Sequence, residues 1–594
     1  MMTAIVRGCL TFPRLVLLVG VAMMVVGIVA AIDARYDVFP EFGQPTIEIE
    51  TTVTGLAPEQ IEALVTTPVE HAVNGVPELV ALRSRSSTGL SVVTAVFDGA
   101  SDVYRDRQLV AERLAPLAGT LPDAAAPVIA PLQSSTGTVL AIGLRAPNLS
   151  LIQLTGIARW TIRPALLAVP GVAEVAIFGA EPAQLQVQFD PRRLIEAGIG
   201  LDQLTAAAKS ASTVSGTGVI ETGNQQILVQ AEGQTTTPAE LADSLLLQHG
   251  DRSVRIGDVA HVAIGAMPPA GAALVGTHPG LLLVVGAQYG ANTLRVTDGL
   301  DKALAVLAPA LQRDGVIVTA DALRPASFIT ASLRHLRNSL LVGAVLIILV
   351  LLLALRDWRT AAISFTAIPM SLLGAILVLN WFGFSLDTMS LGGLAIAIGE
   401  MVDDAVVDVE NIHRRLRENR GCPQPLPAVR VVLSASLEVR AAIIFATLAV
   451  VLMFLPVLHL SGVAGRLFEP LGIAYIAAIV CSLLVALTLT PALALLLLGK
   501  APIPEADPPP VAIAKRIYDR VLAAVDRRAA LAVGLAAALF IAAFASIPAL
   551  NTRFLPDFHE DQLILHLHTI PGTSLDAMRA VGQQAASVLG RLPE

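Results

Sequence analysis

The feature that most constrains this chain is a set of carboxylates inside an otherwise apolar segment, residues 390–411. Five acids lie there at helical spacing: Glu400, Asp403, Asp404, Asp408 and Glu410. A helix brings residues three, four or seven apart onto one face, so we expect these side chains to share one. One charged acid at the centre of a bilayer costs roughly 2.5–3.5 kcal/mol on insertion scales. Acids at this depth must be paired with cations, protonated or open to a water-filled path, and all three conditions imply movement of protons or ions.

The composition indicates a membrane protein with a large water-exposed part. The 594 residues are 54% hydrophobic and 15% charged, whereas soluble domains are roughly 25% charged. The net charge of −8 argues against nucleic-acid binding. The three cysteines, Cys9, Cys422 and Cys481, have neither a disulfide pattern nor a metal-ligand spacing. The sequence predicts no cofactor.

Several apolar segments are long enough to cross a bilayer, which takes about 20 helical residues. The predicted spans are 15–32, 338–355, 360–380, 388–410, 440–459, 470–498 and 529–549. Lys and Arg cluster before the first span, after the second and fourth, and before the seventh. The positive-inside rule therefore predicts a cytoplasmic N-terminus and an external segment, 33–337. A cleaved signal peptide is the alternative for 15–32, but its apolar core is longer than usual for one.

The external segment alternates strand-like and helix-like stretches. The strand-like stretches are 46–53, 91–97, 139–144, 174–178 and 184–189, and the helix-like ones are 58–73 and 151–169. This alternation predicts small α+β subdomains of the ferredoxin-like βαβ type.

A pattern that follows the first span recurs after the seventh. RYDVFPEF (35–42) and RFLPDF (553–558) each precede a strand-like and a helix-like stretch, which in the second copy are 562–569 and 574–589. This indicates an internal duplication. Because a strand without partners is an unusual domain end, we expect the chain to be a truncated or split version of a longer protein.

Several motifs together resemble the resistance–nodulation–cell division (RND) superfamily of inner-membrane efflux permeases. In the membrane part they are LRDWRT (355–360), GGLAIAIG (392–399), VDDA (402–405) and VEN (409–411). In the external part, NGVP (74–77), GLSVVT (89–94), DVY (102–104), RQLVAERL (107–114) and PGTSL (571–575) resemble the heavy-metal-efflux branch. A pair such as Asp403 and Asp404 also occurs in drug-exporting branches, which leaves a drug exporter as the alternative.

The resemblance implies a twelve-span fold in two repeats, with periplasmic domains after the first and seventh spans. It implies a homotrimer in the bacterial inner membrane that works with a periplasmic adaptor and an outer-membrane channel. Proton flow past acids of the fourth span would drive export of a metal cation or a small toxic molecule, so the protein would be a transporter, not an enzyme. Asp403 and Asp404 match the relay motif and Glu410 matches the acid of VEN, while Glu400 and Asp408 are additional acids. The family's cationic partner lies on a tenth span, which this chain lacks.

The predicted fold is an α-helical polytopic membrane protein with periplasmic α+β subdomains, comprising the family's first half and the start of its second repeat. The predicted divisions are a first span (1–32), a periplasmic porter and docking domain (33–337), spans two to six (338–498), a cytoplasmic linker and surface helix (499–528), a seventh span (529–549) and an incomplete second periplasmic domain (550–594).

Other residues admit a functional and a structural interpretation. His566 and His568 could ligate zinc or copper, but a solvated strand face explains them too. Three methionines near the spans could form a thioether path for copper(I), although packing is the commoner role: Met370, Met389 and Met401. Three glycines of the fourth span predict close helix packing: Gly392, Gly393 and Gly399.

Two alternatives to a working transporter remain open. An intramembrane aspartyl hydrolase needs its two acids on facing helices, whereas here they share one span. A partner-dependent or non-transporting half is the other alternative. The acids themselves could also be structural, with Arg414 or Arg415 neutralising Asp408 and Glu410.

Overall fold

A computed structural model describes most of the chain. The described residues are 2–53, 55–99, 101–117, 119–122, 125–213, 219–228, 235–249, 252–269, 271–355, 357–500, 509–547, 564–570 and 572–591. Long apolar helices form one part and α+β units form the other. The units built from the segment predicted to be external are called external units below.

The chain begins with two helices, α1 (Met2–Thr11) and α2 (Pro13–Asp33). Pro13 lies in the first turn of α2, where its missing N–H costs no hydrogen bond. The apolar α2 matches the predicted first span closely.

The first external unit is a four-stranded antiparallel sheet covered by helices. In chain order its elements are β1 (Thr46–Thr52), α3 (Pro58–Ile61), a π-helical turn (Glu62–Thr66), α4 (Thr67–Val73), β2 (Leu79–Ser87), β3 (Leu90–Phe97), α5 (Val103–Leu114) and β4 (Val128–Ile129). The strand order is β2-β3-β1-β4. Alternate residues of β1 are buried, because one face of the sheet packs on the helices. Ile47 and Ile49 meet Val69 and Val110 in that core.

The second external unit contains a third unit inserted into its sequence. In chain order the elements are β5 (Gln133–Arg145), α6 (Leu151–Ile157), a π-helical turn (Ala158–Ile162), α7 (Arg163–Leu167), β6 (Val172–Phe178), β7 (Ala183–Phe189), α8 (Pro191–Glu196), α9 (Leu201–Ser212), β8 (Val219–Glu221), β9 (Gln226–Leu228), α10 (Pro238–Asp243), β10 (Leu245–His249), β11 (Arg252–Arg255), α11 (Ile256–Val259), β12 (Ala260–Ala266), β13 (Ala273–Val275), β14 (His278–Gln288), α12 (Thr293–Arg313) and β15 (Ile317–Leu323). β14 lies between β5 and β6 in the main sheet. β7 pairs with β12 at the base of the insertion.

The remaining long helices are α13 (Pro325–Leu355), α14 (Trp358–Trp381), α15 (Thr388–Arg420), α16 (Ala428–Leu458), α17 (Gly462–Leu498), α18 (Pro509–Arg527), α19 (Ala529–Ser546) and α20 (Leu575–Leu589). Among the described residues, five helices are long and apolar enough to cross a membrane: α2, α14, α16, α17 and α19. α13 and α15 contain the other two predicted spans. Both continue beyond the apolar stretch, since α13 begins at Pro325 rather than near 338.

External units and helices are joined by short connections. One residue, Arg324, separates β15 from α13, and its Nη1 donates to Asp301 Oδ1 of α12 at 2.9 Å. Asn292 Nδ2 donates to Ala34 O at 2.8 Å, just beyond the end of α2. On another face, Arg466 Nη1 of α17 donates to Gly43 O at 2.8 Å.

The predicted strand at 562–569 is not present in its described part, residues 564–569, which have no regular structure. A strand needs a neighbour for its backbone hydrogen bonds, and no described strand pairs with this segment. The helix predicted after it is present as α20. The RFLPDF segment of the proposed repeat and the linker at 501–508 lie outside the described residues.

Candidate proton-coupling site

The start of α15 is fixed by a reciprocal cap. Asp387 Oδ1 accepts from Ser390 N at 2.8 Å, and Ser390 Oγ accepts from Asp387 N at 2.8 Å. Both side chains are buried, so two otherwise orphaned N–H groups are satisfied. This cap fixes the residue at which α15 begins.

One glycine lets α15 approach α17. A Cβ on Gly393 would collide with the backbone carbonyl of Leu471, whereas a Cβ on Gly392 or Gly399 would meet no atom within 4 Å. The close-packing prediction is therefore confirmed for Gly393 and wrong for Gly392 and Gly399. Both of those point away from the neighbouring described helices.

The acids of α15 lie on one broad face that is covered along only one edge. Asp408 is buried, Glu400 and Asp404 are half-buried, and Asp403 and Glu410 are exposed. The surroundings of these acids thus differ although they share one helix face. The edge toward α16 and α17 is covered, while the opposite edge is open among the described residues.

At the covered edge, Asp408 forms an ion pair with Arg440 of α16. Arg440 Nη2 lies 3.4 Å from Asp408 Oδ1 and 3.3 Å from Oδ2. The same nitrogen donates to Ala486 O of α17 at 3.0 Å. The exposed fractions of the two side chains are 1% for Arg440 and 0% for Asp408. Three helices therefore meet at one buried guanidinium.

The arginines suggested as neutralising partners lie elsewhere. Arg414 Nη2 donates to Asn411 Oδ1 at 2.7 Å. Arg415 Nε donates to Glu438 Oε2 at 2.8 Å, and its Nη1 donates to Glu418 Oε2 at 3.0 Å. The interpretation that Arg414 or Arg415 neutralises Asp408 is wrong, because Arg440 occupies that carboxylate.

Arg440 is not among the site residues that the sequence predicts. The predicted fifth span, 440–459, has Arg440 at its edge, but α16 begins at Ala428, which places this residue three turns inside the helix. Pro427 immediately before the helix and the long uncharged stretch that follows Arg440 were the signals that could have revealed a buried cation.

The two histidines proposed as metal ligands lie outside regular structure. The rings of His566 and His568 are nearly parallel, with centroids 6.5 Å apart, and both residues are exposed. No cluster of three or more His, Cys, Asp or Glu residues suited to a metal occurs among the described residues. Two imidazoles alone leave a tetrahedral cation with two open positions. His559, Glu560 and Asp561, which precede them, lie outside the described residues, so metal binding here stays a prediction.

The methionines near the spans are buried. Met370 and Met401 each belong to a hydrophobic cluster of the helix bundle, and Met389 is only 3% exposed. These surroundings agree with the packing interpretation.

Comparison with known proteins places this chain in a family. The family model described as AcrB/AcrD/AcrF matches residues 5–594. Protein HelA of Legionella pneumophila is 29% identical over 586 residues, which cover 97% of this chain and 55% of HelA. The cation efflux system protein CzcA of Alcaligenes sp. (strain CT14) is 30% identical over 578 residues, covering 94% of this chain and 54% of CzcA.

A solved structure gives the same result. The X-ray crystal structure of a heavy metal efflux pump, crystal form I, has a TM-score of 0.78 at 27% identity, covering 99% of this chain and 57% of that one. The chain thus spans about half the length of the relatives that it matches. The resemblance inferred from its motifs is confirmed: this chain belongs to the AcrB/AcrD/AcrF family of RND permeases, and its relatives include heavy-metal efflux pumps.

Proposed function

We propose that this chain belongs to the inner-membrane permease of an efflux system that exports heavy-metal cations and is driven by the proton-motive force. The observation that carries the proposal is the environment of Asp403 and Asp404. They lie on α15, which packs on the apolar helices α14, α16 and α17, and no ion pair or hydrogen bond engages their carboxylates within the described part of the chain. Their neighbour Asp408, by contrast, is matched by Arg440. Two unmatched adjacent acids at membrane depth are suited to taking up and releasing a proton.

Proton exchange at this pair gives the bundle two electrostatic states. A proton on either carboxyl removes a negative charge and relieves repulsion between neighbours. Loss of that proton restores both effects. Because Gly393 packs α15 tightly on α17, a change of charge on α15 acts on the packed helices together. Export follows if each charge state favours a different arrangement of the bundle.

The family also supports the proposed setting. We place the chain in the bacterial inner membrane as part of a homotrimer, with a periplasmic adaptor and an outer-membrane channel as partners. The cargo is a metal cation, as the names of CzcA and of the solved pump indicate for those proteins. A small organic toxicant is the alternative cargo, since the pair Asp403–Asp404 also resembles drug exporters.

The test is metal tolerance in a bacterial host that lacks its own RND exporters. Cells expressing the chain, alone or with any coding sequence that continues it, are challenged with copper, silver, zinc, cobalt and organic toxicants. We expect Asp403→Asn and Asp404→Asn to abolish the tolerance while the protein still reaches the membrane in normal amount. An exposed external aspartate, Asp298, provides the matched control as Asp298→Asn. Undiminished tolerance in both relay variants would refute proton coupling at this pair.

The partner-dependent half is the second candidate, because the chain spans about half of each relative. Tolerance that appears only when the continuing sequence is co-expressed supports it. An aspartyl hydrolase is not favoured, because it needs an acid on a helix that faces the acids of α15. α14 carries no acid. Glu438 of α16 lies toward the end of α15, and Glu469 of α17 lies toward its beginning.

A further inference from the structure

Arg440 has more hydrogen-bonding capacity than its contacts use. Its hydrogen bonds to described residues all come from Nη2, which meets Asp408 and the carbonyl of Ala486. Nε and Nη1 are buried and have no hydrogen-bond partner among the described residues. A buried donor without an acceptor destabilises the fold, so such donors usually have a partner. The Arg440 guanidinium therefore has two nitrogens, Nε and Nη1, that can donate to a further acceptor.

The neighbouring acid Asp404 is the acceptor of matching chemistry. It lies one helical turn before Asp408, on the same side of α15. The charges that act on Asp404 are those of Glu400, Asp403 and Asp408 on its own helix and that of Arg440 on α16. Of the four side chains whose charges act on Asp404, three are acids and Arg440 is the cation.

The other packed helices carry few ionisable groups near this point. In α14 the ionisable residue is Arg359, in its first turn. α17 carries Arg466 and Glu469 near its beginning, with Tyr475 and Cys481 further along. Tyr475 interacts electrostatically with Glu400. α13 carries Arg334, His335 and Arg337 in its first half. Besides Arg440, α16 carries Arg430 and Glu438, and Glu438 is bonded to Arg415.

We propose that Arg440 is a positioning residue for the proton on Asp404. Nη2 anchors the guanidinium to Asp408 and Ala486 O, and Nε and Nη1 donate to the Asp404 carboxylate once its proton has left. Asp408 is then an anchor and not a proton carrier. This inference rests on the proposed function and adds to it a cation within this chain.

The anchored geometry explains why an arginine suits the position. A guanidinium presents several donors in a fixed fork, so it can hold one carboxylate and meet a second without moving its stem. An ammonium concentrates its charge on one nitrogen and cannot serve two acids in the same way. A lysine at this position should therefore keep the charge of Arg440 and lose its second contact.

The experiment is a pH titration that does not depend on transport. The chain is reconstituted in lipid nanodiscs, and protonated carboxyl groups are followed by their infrared carbonyl absorption. The Asp404 component is the one that disappears in Asp404→Asn. In the double variant Asp408→Asn, Arg440→Gln, both charges of the pair are removed together, so a pair that is only structural leaves the midpoint nearly unchanged.

We expect the double variant to move the Asp404 midpoint upward by about one pH unit or more, because a cation in direct contact stabilises the carboxylate. Arg440→Lys should give a smaller upward shift, and it decides the question if the double variant does not fold. Arg359→Gln, which removes a distant arginine, should titrate like the parent chain. Unchanged midpoints in the folded variants, or no titrating component assigned to Asp404, would overturn the proposal. Retained metal tolerance in the relay variants would instead count against the proposed function.

Discussion

The two edges of the acid-bearing face of α15 differ sharply although they share one helix. At one edge Asp408 is completely buried against Arg440, and Gly393 lies against the backbone of α17. At the other edge Asp403 and Glu410 are exposed, with Val407 between them 39% exposed. Two aspartates of one helix thus differ: Asp408 is fixed by an ion pair, and Asp403 has no ion pair or hydrogen bond among the described residues.

The comparison separates two roles that sequence spacing merges. A buried acid with a matched cation is committed to structure, because releasing or binding a proton there leaves a charge uncompensated. An unmatched acid can change its protonation at smaller cost to the fold. The covered edge therefore holds the helices together, and under the proposed function Asp403 and Asp404 are the acids whose charge changes.

Breaking the buried pair should give the largest effect. Arg440→Met leaves Asp408 charged and buried without a partner, which typically costs about 3–5 kcal/mol. We expect a loss of that size in the free energy of unfolding, measured by helical circular dichroism during denaturation in detergent. The double variant Asp408→Leu, Arg440→Met should recover most of the loss. No recovery would mean that the charges are not coupled.

A smaller effect should come from the glycines of the same helix. Gly393→Ala forces a methyl group against Leu471 O, and overpacking of this kind costs about 1–3 kcal/mol. Gly392→Ala is the matched control, since its Cβ meets no atom within 4 Å. Thermal melting of both variants in detergent measures the difference. Equal melting temperatures would show that α15 and α17 are not in close contact.

The smallest effect is expected at the open edge. Glu410→Gln changes the charge of an exposed side chain, and surface substitutions usually alter the free energy of unfolding by less than about 0.5 kcal/mol. The same denaturation measurement applies, with Asp408→Asn as the buried counterpart. A large loss for Glu410→Gln would contradict the division of this face into a covered and an open edge.

Part of this arrangement follows from the sequence. The spacing of Glu400, Asp403 and Asp408 predicts their common helix, and the apolar stretches predict the long helices. Hydropathy detects only the apolar portion of a helix, which is why α13 and α16 begin well before their predicted spans. Periodicity shows which residues share a face but not which edge a neighbour covers, so the pairing of Asp408 with Arg440 could not be predicted.

The segment at 562–569 shows the opposite limit. Its alternating leucines and histidines predict a strand, and the described part has none. Alternation of apolar and polar residues indicates only that a strand formed there would have one apolar and one polar face. A strand also needs backbone partners, and those come from other parts of a sheet.

The junction between β15 and α13 has a mechanical consequence. A single residue separates strand from helix, and the guanidinium of that residue is held by two hydrogen bonds to Asp301. This connection is short and rigid, because no loop separates the strand from the helix and the side chain between them is held in place. We therefore expect a tilt of α13 to be transmitted to β15 and to the sheet that β15 shares with β5.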